Sequence, residues 1–215
     1  MAVEPEKGAL LVSEIFEAII GSIKFLWIGF LIYVGVKHIL TEPEWFQAYR
    51  QIRWSLYLWI VPTVVVIISV VIGLLAINES IFGWNWITLV AGLFGKEAEG
   101  GNIATVGFEI PGLGIFLCFL LMAQLPSLAR FEEEMFREGT RDWKHGFVRS
   151  FKFGMIHMLV GVPLAGGLAL GIGGLLFTKM YFKGGVDLAT QTHFQYNLLL
   201  LSVLLLATLM ITLGV

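Results

Sequence analysis

The chain has 215 residues, 57% of them hydrophobic and only 14% charged, with a mean hydropathy of +0.84. Soluble domains carry about 25% charged residues, so this composition excludes an ordinary water-soluble domain and predicts an integral membrane protein. A net charge of −2 without a basic tail offers no footing for nucleic acid, and the single cysteine, Cys118, forms neither an internal disulfide nor a metal-ligating pair.

Met1–Lys7 is net acidic and lacks a basic n-region, and no small-residue cleavage site follows, so no removable signal peptide is expected. Residues 10–40 begin amphipathic, with Glu14, Glu17 and Lys24 among apolar positions, and become apolar from Phe25 to Val36. They predict an interfacial helix continuing into a first span, or one long tilted helix. Residues 41–55 form a polar connection with Arg50 and Arg53, so 1–55 is read as a variable N-terminal part and 56–215 as the transmembrane core. Leu56–Ile77 is the clearest span, 22 residues without a charge, entered through Trp54, Tyr57 and Trp59, with Pro62 near its start.

Residues 78–110 hold Trp84, Trp86, a turn over Gly95–Gly101 and four acids against one lysine. Within them Ile81–Phe94 is too short to span and predicts an interfacial helix. Pro111–Leu128 predicts another span, with Pro126 marking a break or a helix start. Residues 129–152 are the most polar part of the chain. Phe151–Phe182 is apolar but interrupted by Pro163 and repeated glycines, which predicts a broken pair of short helices or one kinked helix. Leu188–Val215 closes the chain as an apolar helix. The fold expected is all-α: a multi-pass transmembrane helical bundle with an intramembrane polar site and a broken or kinked glycine-rich helix. Lysine and arginine number six from Arg130 to Lys152 but one in residues 78–110. The positive-inside tendency therefore puts the 129–152 and 37–53 connections on the cytoplasmic side.

Three short pieces carry the chemistry: Glu132-Glu133-x-x-x-Arg137, Phe153-x-x-x-His157 and His193-x-x-x-Asn197. Glu133 and Arg137 share a helix face in the favourable acid-first order, while Glu132 points about 100° away. Taken alone they also suit a solvated helix end. His157 lies in the apolar run Phe153–Val160, and His193 and Asn197 are one turn apart. Singly, these residues suit a hydrogen-bonded core histidine and a polar helix contact. Together, ionisable and amide groups drawn from three apolar segments indicate a shared site.

In order and spacing, the three motifs resemble the CPBP intramembrane proteases: CAAX prenyl endopeptidases, bacteriocin-processing relatives and Abi proteins. The resemblance covers about residues 111–205. It includes Phe136 before Arg137, and a glycine-rich helix, short charged turn and returning helix between Gly161 and Asn197. Glu138 departs from the glycine that commonly follows the family's arginine, and the link from Glu132 to His157 is short for the family. The helix between the first two motifs is therefore expected to be truncated or pushed to the interface.

The resemblance implies a glutamic endopeptidase without a metal cofactor. Glu132 would be general base on a water that His157 helps to hold, His193 and Asn197 would donate to the oxyanion, and Glu133 and Arg137 would support them. A lower-ranked alternative uses the same groups as a His₂Glu zinc site. The expected partners are membrane lipids and a protein or peptide substrate, with or without a lipid modification. A rival reading is a catalytically weak or inactive family member acting as a membrane-complex subunit or assembly factor. A transporter is a third, since intramembrane acids and a broken helix also suit ion paths.

Overall fold

The computed structural model describes residues 5–87 and 112–213, which form helices and short turns with no strand. Helices satisfy every backbone donor and acceptor within one segment, which apolar surroundings demand. Four of them are long and apolar enough to cross a membrane. The apolar windows of the first two are only 6% and 17% buried, so most of their apolar side chains lie outside the protein core. The all-α helical bundle expected from the sequence is the fold observed among the described residues.

Helix α1 (Pro5–Thr41) is one continuous helix, the second of the two arrangements left open for that stretch. Its apolar part, Gly21–Thr41, is the first candidate span. A 3₁₀ turn (Pro43–Phe46), the short helix α2 (Gln47–Arg50) and a second 3₁₀ turn (Trp54–Leu56) make the polar connection. Helix α3 (Tyr57–Ile77) is the uncharged span, with Pro62 inside it. The short helix α4 (Glu79–Phe82) follows, capped by Asn78, whose side chain accepts from the Ile81 amide at 3.1 Å. Most of the interfacial helix expected over Ile81–Phe94, and the Gly95–Gly101 turn, lie outside the described residues.

Helix α5 (Leu113–Arg137) runs through Pro126 without the break expected there. Proline cannot donate to the carbonyl four residues back. That carbonyl belongs to Met122, and the Tyr49 hydroxyl donates to it at 2.6 Å. A side chain from the 41–53 connection thus replaces the lost helical bond. Burial pushes the Tyr49 phenol up to about 12.

Helix α6 (Trp143–Ile156) is capped by Asp142, which accepts from the His145 amide at 2.8 Å. At 1.5 Å per residue it is about 21 Å long, short of the ~30 Å hydrocarbon core. A 3₁₀ turn (His157–Val160) and a left-handed Gly161 end it before Pro163. The apolar stretch after Phe151 is therefore broken rather than merely kinked.

Helix α7 (Leu164–Leu213) has 50 residues, and if straight it would place Phe177 and His193 about 24 Å apart. Their rings instead stack at 4.2 Å. The helix folds back on itself at Gly184 and Gly185, whose backbones are non-helical. Gly185 has φ +68 and ψ −166, a combination open essentially to glycine. Helix α6 lies against the first arm of this hairpin through a seam of small residues. A Cβ on Gly154 would sit 2.1 Å from the Gly167 carbonyl oxygen. Between helices in lipid, such close backbone approach supplies the van der Waals attraction that holds them.

The bundle has two distinct ends. At one, Gln191 Nε2 donates to the Gln51 carbonyl at 2.5 Å, and the Gly139 amide donates to the Tyr181 hydroxyl at 3.1 Å. At the other, Trp86 Nε1 donates to the Leu159 carbonyl at 3.1 Å, and the Leu164 amide donates to the Trp84 carbonyl at 3.0 Å.

Candidate functional site

The last turn of α5 brings Glu132, Glu133 and Arg137 against the returning arm of α7. Glu133 and Arg137 are completely buried, and His193 is 2% exposed. His193 Nδ1 donates to Glu133 Oε1 at 2.9 Å, and the other carboxylate oxygen faces Arg137 Nε at 3.5 Å. His193 Nε2 lies 3.5 Å from Glu132 Oε2. One imidazole therefore faces two adjacent carboxylates through its two nitrogens. Glu132, at 29% exposure, keeps access to solvent while Glu133 has none.

The i, i+4 relation of Glu133 and Arg137 holds as the sequence spacing predicts. It is a buried pair rather than a solvated helix end. Aromatic rings enclose the guanidinium: its carbon lies 4.8 Å from the Phe153 ring centre, 5.8 Å from Phe177 and 5.9 Å from Phe136. Such faces attract cations, most strongly where water is excluded. Phe177 also stacks on His193 with an 18° interplanar angle, and Phe153 meets the same imidazole edge-on at 5.4 Å. Gly174 leaves the space beside this box, since a Cβ there would approach Arg137 Nη2 to 3.1 Å. Ser150 and Thr178 share a hydroxyl hydrogen bond of 3.0 Å between α6 and α7.

His157 stands apart from this cluster. It is half-buried, and its Nδ1 is 2.7 Å from the Phe153 carbonyl of its own helix. Its ring contacts the Phe153 ring at 4.9 Å, so Phe153 is packed against both imidazoles. No hydrogen bond or ion pair joins His157 to Glu132. Asn197 is half-buried one turn beyond His193 and makes no hydrogen bond to the described residues. Among the described residues, no three His, Cys, Asp or Glu side chains form a metal-holding group. The His₂Glu zinc alternative therefore has no assembled ligand set.

Phe177 and Gly174 were not singled out from the sequence, although both shape the cluster. Phe177 sits 16 residues before His193, a separation that carries no helical signal unless the chain folds back between them. The comparisons add no relative: no known protein family, curated protein or solved structure matches the chain.

Proposed function

We propose that the chain is an intramembrane endopeptidase of the CPBP type, which hydrolyses a peptide bond near the membrane surface with water activated by Glu132. One observation carries the reading: adjacent glutamates are divided between solvent and a buried ion pair, and both face His193. Glu132 takes the proton from water as its oxygen attacks the scissile carbonyl, then passes it to the leaving amine. With Nδ1–H donated to the Phe153 carbonyl, His157 keeps Nε2 free to accept from that water. Asn197 has an uncommitted amide to donate to the oxyanion. His193 is the second proposed oxyanion donor, and Glu133 orients its ring through Nδ1. The basic end of the bundle, with the 129–152 connection, faces the cytoplasm on the positive-inside tendency.

Purified protein incubated with lipidated and leader-type peptides, with products read by mass spectrometry, tests the proposal. Cleavage that is abolished by Glu132→Gln and survives a strong chelator supports it. Cleavage at the unaltered rate in Glu132→Gln refutes it. A second reading, a weak or inactive member serving as a subunit or assembly factor of a membrane complex, is favoured by the missing link between Glu132 and His157. A stable complex that functions normally with Glu132→Gln would establish that reading.

A further inference from the structure

A cavity of about 880 Å³ opens where the α7 hairpin turns, between the polar connection and the middle of α5. Its walls are of two kinds. Arg53, Arg130 and Lys183 bring three positive charges, against which the cavity's own lining sets one carboxylate, Asp187. Ile52, Leu188 and Phe194 bring apolar surface. The cations are not equally engaged. Arg130 is bracketed by Glu134 at 2.5 Å and Asp187 at 2.6 Å. Among the described residues neither Arg53 nor Lys183 has a carboxylate partner; Lys183 only approaches the Trp59 ring, at 5.3 Å.

Thr190 adds a separate sign. Its hydroxyl oxygen is buried without a hydrogen-bond partner, although Thr192, two residues on, donates back to the Leu188 carbonyl at 2.8 Å. An unmatched donor, two uncompensated cations and an apolar wall in one cavity describe a receptor for an anionic amphiphile. Asp187 is 84% exposed, so it can swing out and leave Arg130 paired with Glu134 alone, its Nη1 turned free toward a ligand.

We propose that this cavity binds a phosphate group through Arg53, Lys183 and the Thr190 hydroxyl. The apolar wall points to a phospholipid headgroup, rather than free phosphate, as the source. Basic pockets between membrane helices recognise anionic headgroups in this way. The site is separate from the Glu132–His193 cluster, and binding there does not require peptidase activity.

The test uses the full chain in detergent, with native mass spectrometry counting retained lipid. Phosphatidylglycerol should be retained over phosphatidylcholine. Arg53→Gln with Lys183→Gln should weaken that retention roughly 30-fold, on the scale of two lost cation contacts near a membrane surface. Both side chains are exposed, so the fold should tolerate their loss. Asp187→Asn should tighten retention by removing the one carboxylate from the cavity lining. Displacement of the lipid by millimolar inorganic phosphate, lost in the same double variant, would uphold the phosphate site with a soluble source. Equal retention of the two lipids overturns the proposal. So does an equal loss in Lys144→Gln with Lys152→Gln, two exposed cations outside the cavity. Displacement by a peptide with a free C-terminus but not by its amide, without lipid selectivity, assigns the cavity to peptide and overturns it as well.

Discussion

Replacing Glu133 by glutamine tests the buried pair most directly. The variant keeps the side-chain volume and an amide oxygen that can still accept from His193 Nδ1, and it removes only the charge opposite Arg137. Both members of that pair have zero exposure and lie 3.5 Å apart, so water cannot step in. Breaking a buried pair from one side costs about 3–5 kcal/mol, because the remaining charge is left uncompensated. The three phenylalanine rings around the guanidinium soften this, since a desolvated cation–π contact is worth about 2 kcal/mol. We therefore expect a loss near the lower bound, about 3 kcal/mol. At 2–4 °C per kcal/mol for a chain of this size, that lowers the unfolding midpoint by about 6–12 °C. Arg137→Met alone should be similarly destabilising, while Glu133→Gln with Arg137→Met leaves no buried ion and should lose less than either single change. Thermal unfolding in detergent, followed by tryptophan fluorescence, measures all three. If the double variant equals the sum of the singles within about 0.5 kcal/mol, the two residues are not coupled and the reasoning fails.

Gly154→Ala should prevent stable folding or cost about 3 kcal/mol or more, because its Cβ meets backbone at 2.1 Å and 2.5 Å that no rotamer change can move. Gly171→Ala on the same seam meets nothing closer than 3.5 Å and should be neutral or gain a few tenths of a kcal/mol in helix propensity, so equal midpoints for the two variants would contradict the seam. Tyr49→Phe should cost about 1–3 kcal/mol at neutral pH, since the Met122 carbonyl facing Pro126 then has no donor. In the unaltered chain the raised Tyr49 value means that its stabilisation is complete below pH 10 and is lost as pH rises to about 12. That part of the alkaline loss should vanish in Tyr49→Phe, and an unchanged denaturation profile between pH 10 and 12 would refute the assignment. Under the peptidase reading, Asn197→Ala should lower kcat on the order of 10²–10³-fold with little change in KM, and an unaffected kcat would remove Asn197 from the oxyanion site.

Much of the bundle was legible because its signals are local. Uncharged stretches such as Leu56–Ile77 mark a span by composition, and the spacing from Glu133 to Arg137 marks a helix face within one turn. Other features depend on residues far apart in the chain. Pro126 reads as a helix break from its own neighbourhood, and only the Tyr49 hydroxyl, 77 residues earlier, removes the reason for one. The burial of Glu133 and Arg137 was equally hidden, because the six basic residues from Arg130 to Lys152 suggest a solvated surface. The phenylalanines that enclose the guanidinium come from three different helices. Within the motifs, identity and order were readable, but partner choice was not. Glu133 rather than Glu132 makes the short bond to His193, a distinction set by the rotation of α5 against the returning arm of α7.

The returning arm itself exists because of the hinge. The turn at Gly184 and Gly185 lays the returning arm along the first, stacking His193 on Phe177 and closing the aromatic box over Arg137. The same turn places Lys183, Asp187, Leu188 and Thr190 in the lining of the cavity. Two sites of different chemistry therefore depend on one backbone conformation, and Gly185 alone carries the φ that permits it. A side chain there would cost on the order of 1–3 kcal/mol in backbone strain. The hairpin could relieve that strain only by unwinding its last turns, which carry Lys183 on one side and Leu188 on the other. Disturbance at this point should therefore reach the cavity first. The His193 cluster lies two turns further along and is held independently by the Glu133 hydrogen bond and the Phe177 stack.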